Sequence, residues 1–258
     1  VFARPAGVFI DPTVTNNTNL ILIQDNIFNN FAYTGPQPGA QEPAWNANGK
    51  FGGALEFDGA DDFATFMDPA FDVGAQGSLS FWVNMHDVGR RNQFFEGPGD
   101  GGFEAQFRTS SGGQFFGRVN TVLGADFAIQ SGGAGAGALN TWTHLLYTWD
   151  FAAKQLHIYL NGAEVTYLGG FDFNIANWNS VVETANRLMY VGRDPGDNSR
   201  YFDGLMDDVA WFNRALDVSG ADAATVTTII NSGVAALGGH ANLVAHWDLD
   251  TTSGFTEA

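Results

Sequence analysis

Short segments in which apolar and polar residues alternate recur along this chain and leave few folds open to it. Successive side chains of a β-strand point to opposite faces, so a period of two is typical of strands with one buried face. Gly, Asn, Asp or Pro residues bound each segment, which predicts turns between the strands. The chain is therefore predicted to be all-β, a two-sheet antiparallel jelly-roll sandwich. The segments are Gly53–Phe57, Leu79–Met85, Phe103–Thr109, Gln114–Val119, Leu145–Trp149, Leu156–Leu160, Leu188–Val191, Leu205–Phe212 and Leu243–Leu249.

Two local signals add detail to this prediction. Asn161-Gly162 lies between two strand-like runs and predicts a type I′ hairpin, a turn with two residues at positive φ. One short helix is predicted within residues 219–232, with Ser219 as its capping residue and Gly233 just after its end. The apolar stripe of this helix consists of Val226, Ile229 and Ile230.

The segment Leu243–Leu249 predicts a half-buried strand near the end of the chain, with Trp247 on its apolar face. We expect this strand to close the same sandwich; the alternative is strand addition to a neighbouring subunit. Residues 1–258 are accordingly interpreted as a single domain, in which residues 1–49 form variable N-terminal strands and loops.

Acidic residues dominate the charge balance and exclude several kinds of partner. The 28 Asp and Glu residues outnumber the 11 Lys and Arg residues, which gives a net charge of −17. Such a field repels the phosphates of nucleic acid and of anionic membranes. No apolar run is long enough to span a bilayer, so membrane insertion is not expected. Without Cys, the chain has neither disulfides nor thiolate metal ligands.

A series of motifs follows in order along the chain: FGGALEFDGADD at 51–62, LSFWV at 79–83, NTWTH at 140–144, IYLNG at 158–162, VGRD at 191–194, FDGLMDDV at 202–209 and NRAL at 213–216. This ordered series resembles the laminin-G-like jelly-roll modules of the concanavalin A-like lectin/glucanase superfamily. The resemblance covers roughly residues 50–250, and residues 1–49 match it less well. It implies a secreted or surface-attached module, often bound to Ca²⁺, that recognises carbohydrate or protein.

Two groups of acidic residues are candidate Ca²⁺ ligands. On a regular strand Asp207 and Asp208 point to opposite faces, so either choice of core face carries a carboxylate. The turn with Asp58, Asp61 and Asp62 supplies further carboxylates, and such hard oxygen ligands suit Ca²⁺ better than zinc. The alternative is that a strand Asp accepts backbone N–H bonds while the turn residues are solvated.

The resemblance implies a further Ca²⁺ site at the rim of a sheet. Laminin-G and pentraxin modules use a loop after an early strand and the loop after a later Val-Gly strand end, positions that match Asp100 and Asp194. Asp197 could complete that set of ligands. Solvated turn residues are the alternative, because Asp is common in turns.

Candidate ligand-binding residues are Trp82, Tyr159 and Arg193. Aromatic rings stack on the apolar faces of sugars, while charged and polar groups pair with the hydroxyls. In the strand pattern Trp82 lies opposite Leu79, Phe81 and Val83, so it is expected to point away from the core. Structural packing of these aromatic residues is the alternative.

These observations favour a non-catalytic binding or adhesion module, stabilised by Ca²⁺, with a glycan or an extracellular protein as partner. The first alternative is a self-assembling structural subunit of an extracellular layer, filament or matrix. The second is a glycoside hydrolase or lyase, although the Glu-x-Asp-x-x-Glu strand of related glucanases is not found. Because the chain begins at Val1 without a signal-peptide pattern, we expect that any such segment has been removed from an extracellular or cell-surface protein.

Overall fold

Two antiparallel sheets form the fold, as the alternating segments predict. The structure, a computed structural model, describes residues 8–9, 21–22, 43–66, 76–97, 104–120, 126–132, 137–150, 152–168, 189–197 and 199–250. Every strand pair within these residues is antiparallel. The predicted jelly-roll sandwich is confirmed.

Strands are numbered in chain order and belong to two sheets. The front sheet contains, in spatial order, β1 (Val8–Phe9), β2 (Ile21–Leu22), β5 (Ala64–Phe66), β14 (Met189–Val191), β7 (Gln93–Glu96), β8 (Glu104–Thr109), β9 (Phe115–Asn120) and β10 (Asp126–Gln130). The back sheet contains β13 (Ala163–Glu164), β12 (Gln155–Leu160), β11 (Trp142–Asp150), β6 (Gln76–Met85), β15 (Asp203–Phe212), β4 (Ala54–Asp58) and β3 (Ala44–Asn46), and β16 (Leu243–Trp247) also pairs with β15.

The main core lies between the sheets and follows from strand alternation. Leu79, Phe81 and Val83 of β6 are fully buried in it, as are Phe95 and Phe107 of the front sheet. Aromatic rings dominate the contact between layers, and the Phe81 and Phe95 rings meet edge to face at 5.0 Å. The front and back sheets are therefore held at a fixed spacing by large side chains.

The outer face of the back sheet carries a second, smaller core under the helix α1 (Ala223–Ser232). Val226 and Ile229 are the buried residues of α1, as the apolar stripe predicts. The helix starts later than predicted because Asp222, not Ser219, precedes it, and Asp222 accepts a hydrogen bond from the Asp217 N–H at 2.8 Å. No described helix is long and apolar enough to cross a membrane.

Two turns connect neighbouring strands at the far side of the back sheet. The predicted hairpin between β12 and β13 is confirmed, with φ of 49° at Asn161 and 83° at Gly162. The turn between β11 and β12 contains Lys154, which is exposed and has φ of 58°.

A bulge in β15 changes the predicted pattern of Leu205–Phe212. The register with β6 shifts between Asp207 and Ala210, and Asp208 has φ of 49°. Met206 and Val209 therefore both face the main core, on either side of the bulge. The prediction that either choice of core face carries a carboxylate was wrong, because neither Asp207 nor Asp208 lies on the core face.

The C-terminal strand β16 pairs with the second half of β15, as expected for a strand that closes this sandwich. Val209 lies opposite Trp247, and Trp247 is fully buried in the main core. Leu243 packs instead with the residues under α1, because a register shift between Trp211 and Phe212 moves it to the other face.

Candidate metal and ligand site at the sheet rim

Three carboxylates come together in the turn after β4. One oxygen each from Asp58, Asp61 and Asp62 lies within 4.8 Å of the other two. The turn fixes them locally: Asp58 Oδ1 accepts the N–H of Ala60 at 2.7 Å, and Asp62 Oδ2 accepts the N–H of Asp58 at 2.9 Å. Asp62 is buried, whereas Asp58 is exposed and Asp61 half-buried, so the cluster opens to solvent on one side.

The geometry of this turn fits a hard divalent cation. Oxygen ligands of Ca²⁺ lie about 2.3–2.6 Å from the ion, so two ligands on opposite sides of it are about 4.8 Å apart. The three carboxylates can therefore share one ion. Ca²⁺ takes about 6–8 oxygen ligands, so water, a carbonyl or a bound hydroxyl would have to complete the shell on the exposed side.

Two arginines flank the acidic turn. Arg90 donates a 2.6 Å hydrogen bond to the carbonyl of Gly59 and forms an ion pair with Asp203 at 3.7 Å. Arg193 lies over the ring of Phe63, the residue after the turn, at 4.7 Å. Arg193 is only 7% exposed and also lies within 6 Å of two tyrosine rings, so its guanidinium is largely enclosed. Of the predicted ligand-binding residues, Arg193 is the one beside this turn.

The loop after β14 holds Asp194 and Asp197, the predicted rim ligands. Arg200 joins both: its Nη1 lies 2.7 Å from Asp194 Oδ2, and its Nε lies 2.8 Å from Asp197 Oδ2. Hydrogen bonds from Ser199 lower the pKa of Asp197. In this arrangement Arg200 neutralises both carboxylates. Asp100, their predicted partner, lies outside the described residues.

Asp207 and Asp208 do not join the Asp58–Asp62 turn. Asp58 lies opposite Asp203, four residues before Asp207 on β15, so strand register separates the two groups. Asp207 Oδ2 accepts the N–H groups of Lys50 and Phe51 at 2.7 and 2.9 Å. This is the alternative role that the sequence left open, in which a strand carboxylate accepts backbone N–H bonds.

Asp208 belongs to a separate buried pair. One of its oxygens lies 2.7 Å from His246 Nε2, and the other accepts the N–H of Val234 at 3.0 Å. Both side chains of the pair are nearly inaccessible to solvent. Asp208 therefore ties β15 to β16 and to the segment after α1, and it is not placed to bind an ion with the acidic turn.

Trp82 points away from the main core, as predicted, but is only 3% exposed. Phe51 covers it edge to face at 5.9 Å, and the Lys50 ammonium lies 4.2 Å from the ring centre. Beside it His144 bonds Ser80 Oγ at 2.8 Å, and burial lowers the pKa of His144 to about 3. Trp82 thus packs structurally and is not an accessible platform for a sugar.

Tyr159 also lies on the back sheet, packed against the residues under α1. Burial raises the pKa of Tyr159 to about 12, so its hydroxyl stays protonated near neutral pH. Trp82 and Tyr159 are therefore on the opposite sheet from Arg193, and the three predicted ligand-binding residues do not form one site.

A group of arginines on the front sheet was missed by the sequence analysis. Arg108 lies over the ring of Phe116 at 3.8 Å. Burial lowers the pKa of Arg108 to about 10, and the charge of nearby Arg91 adds to that effect. Arg91 immediately follows Arg90, which contacts the acidic turn, and it lies near the charges of Arg200, Asp194, Asp197 and Glu96. The two consecutive arginines at 90–91 are visible in the sequence, but the residues close to them in the fold come from distant strands.

Comparison with known proteins agrees with the fold. Domain 4 of AbnA, a GH43 extracellular arabinanase from Geobacillus stearothermophilus, solved with arabinotriose, is 18% identical over 88% of this chain and 100% of its own, with a TM-score of 0.59. The binding domain of botulinum neurotoxin serotype D is 10% identical over 88% of this chain and 50% of its own, with a TM-score of 0.54. At these identities the similarity shows the fold alone.

Sequence comparison identifies the family. No curated protein sequence gave a significant match. A laminin G profile described as the concanavalin A-like lectin/glucanases superfamily matches residues 58–220, more than half of the chain and the whole stretch from the acidic turn to the start of the α1 region. The chain belongs to the concanavalin A-like lectin/glucanases superfamily, as a laminin-G-like module.

Proposed function

We propose that this protein is an extracellular, non-catalytic carbohydrate-binding module whose ligand binds at the rim beside a Ca²⁺ ion. The observation that carries the proposal is the turn in which Asp58, Asp61 and Asp62 hold three carboxylate oxygens within 4.8 Å. An ion bound there keeps coordination positions on its exposed side. Sugar hydroxyls are suitable oxygen ligands for those positions.

Carbohydrate is favoured over protein as the ligand class by the surroundings of the turn. Arg90 brings a charged hydrogen-bonding group to the rim, and Tyr190 contributes a half-buried ring close to Arg193. Sugars are bound by such combinations of aromatic faces and directed polar groups. Domain 4 of AbnA, of the same fold, is a structure with arabinotriose, which makes that sugar a sensible first probe.

A binding role without catalysis is supported by the state of the rim carboxylates. Glycoside hydrolysis uses two carboxylic groups at a fixed separation, one of them free to donate a proton. Asp194 and Asp197 are paired with Arg200, and Asp58 and Asp62 accept backbone N–H bonds. These described carboxylates are therefore engaged in structural contacts.

The test is calorimetric titration of arabinotriose into the protein, with Ca²⁺ and then with excess chelator, together with thermal unfolding in both buffers. We expect Ca²⁺ to raise Tm, since a ligand present at about 100 times its Kd stabilises the folded state by about 2.7 kcal/mol. Asp61→Asn should abolish that rise. Asp248→Asn, which removes the same charge from the end of β16, should retain it.

An unchanged Tm in excess chelator would rule out the metal. Sugar binding that persists equally in chelator would leave a carbohydrate module without a Ca²⁺ role. Failure of arabinotriose and of a panel of other oligosaccharides to bind would overturn the carbohydrate assignment itself.

A further inference from the structure

The outer face of the back sheet holds a group of polar side chains beneath the segment that precedes β4. Trp82 of β6 lies directly opposite His144 of β11 in the strand register, and their ring centres are 5.3 Å apart. Asn84 follows two residues after Trp82 on β6, so it faces the same side of the sheet. We call Trp82, Asn84 and His144 the outer polar group. None of the three is part of the acidic turn.

Each member of the outer polar group has one buried polar atom that makes no hydrogen bond to a described residue: Trp82 Nε1, Asn84 Oδ1 and His144 Nδ1. Trp82 is almost inaccessible to solvent, and His144 is fully buried. The other ring nitrogen of His144, Nε2, bonds Ser80 Oγ at 2.8 Å, so only Nδ1 needs a partner. Buried polar atoms without a hydrogen bond destabilise the folded state and are rare in proteins. Three of them at neighbouring positions point to a shared ligand.

The cover, Lys50–Phe51, closes the outer polar group from solvent. The Phe51 ring packs edge to face on Trp82 at 5.9 Å, and the Lys50 ammonium lies 4.2 Å from the centre of the Trp82 ring. Asp207 Oδ2 holds the cover in place by accepting the N–H groups of Lys50 and Phe51. Because all three unbonded atoms are buried beneath this closed surface, a ligand that they share must be very small.

The chemistry of the three atoms selects the ligand. The indole N–H of Trp82 can only donate, whereas Asn84 Oδ1 can only accept. An ammonium ion cannot accept the indole hydrogen, and a halide ion cannot donate to the amide oxygen. His144 stays neutral, because burial lowers its pKa to about 3 and the charge of Lys50 adds to that effect. Water both donates and accepts, so one water molecule satisfies this set of partners.

We propose that Trp82, Asn84 and His144 bind one internal water molecule beneath the cover. The water accepts the Trp82 N–H, donates a hydrogen to Asn84 Oδ1 and bonds His144 Nδ1. Internal waters typically make about three hydrogen bonds to groups that are otherwise unbonded. The site is separate from the proposed carbohydrate and Ca²⁺ binding, and it assigns Trp82 the role of a buried hydrogen-bond donor.

The experiment detects water next to the Trp82 indole N–H in the full chain, labelled with ¹⁵N, by NOESY and ROESY spectra selected at the water frequency. Water that stays bound while the protein tumbles gives cross-peaks of opposite sign in the two spectra, whereas hydrogen exchange gives cross-peaks of the same sign. We expect the opposite-sign pattern for Trp82. Trp82→Phe identifies the signal by removing it. The indole of Trp45, which donates to the Leu249 carbonyl on the edge of the sheet, should lack the pattern.

Ser80→Ala is the matched control, because the Ser80 hydroxyl is bonded to His144 and could pass magnetisation from solvent to the indole. The Trp82 cross-peak should remain in this variant, and its loss would assign the signal to the hydroxyl and overturn the inference. A wild-type Trp82 indole without the opposite-sign pattern would also overturn it.

A crystal structure supplies a second measurement. We expect a density peak about 2.7–3.2 Å from each of Trp82 Nε1, Asn84 Oδ1 and His144 Nδ1. A map with no peak there, or with a peak near only one or two of these atoms, would refute the shared water site. Neither measurement depends on binding of sugar or Ca²⁺, so the proposed function and this inference can fail separately.

Discussion

Asp207 allows a quantitative test of the buried polar contacts of β15. Its side chain is fully buried and accepts hydrogen bonds from the backbone N–H groups of Lys50, Phe51 and Asp208. Burial nevertheless raises the pKa of Asp207 from 3.8 to about 7, because desolvation of the charged form outweighs those hydrogen bonds. The charge of Asp208 acts in the same direction.

The sign of the pH effect follows from proton binding. Between the two pKa values the folded protein keeps a proton on Asp207 that the unfolded chain has released, so the free energy of unfolding falls as pH rises. The stability that the protonated Asp207 contributes is fully present below the pKa of the unfolded chain, and it is lost as pH rises through the folded pKa near 7. A difference of about 3 pKa units corresponds to about 4 kcal/mol.

The assay is urea unfolding of wild type and Asp207→Asn, followed by tryptophan fluorescence at several pH values. Since the Asn variant cannot ionise at this position, it should gain about 4 kcal/mol relative to wild type between about pH 4 and about pH 8. Asp248→Asn, at a partly exposed position, should show a much smaller change. A constant difference between wild type and Asp207→Asn across this range would refute the reasoning.

Two further predictions concern the core and the charge. Trp247→Ala should lower the free energy of unfolding by about 3–5 kcal/mol, because Trp247 is fully buried between the sheets. Trp45→Ala, at a tryptophan 37% exposed on the edge strand β3, should cost clearly less in the same urea titration, and equal losses would contradict the assigned burial. Raising ionic strength from low to moderate should increase Tm in a calorimetric scan, since salt screens the repulsion within a chain of net charge −17. A Tm that does not change with salt would show that repulsion among these charges does not destabilise the fold.

The strands could be predicted because burial of one sheet face imposes a local pattern on the sequence. Phe81 alternates with Ser80 and Trp82 for this reason, and it is Phe81 that lies in the main core. The Asn161-Gly162 hairpin is equally local, since positive φ is a property of those two residues in the turn. The acidic turn was also predictable, because all three carboxylates lie within five consecutive positions.

The contacts that were missed depend on residues far apart in sequence. The bulge at Asp208 is set by pairing with β6, so the letters of Leu205–Phe212 alone gave no sign of it. The helix start depends on Asp222, which pairs with Arg214 and closes the preceding turn. Arg91 lies near the charges of Arg108, Arg200 and Asp194, which come from other parts of the chain.

Because lysine is scarce, coupling through amines attaches the protein mainly at one position. Lys154 stands exposed in the turn between β11 and β12, whereas the Lys50 ammonium rests against the ring of Trp82. Apart from the amino terminus, amine-reactive dyes and activated sensor surfaces would therefore attach chiefly through Lys154. Because that turn belongs to the back sheet, a protein immobilised in this way presents its front sheet to the solution.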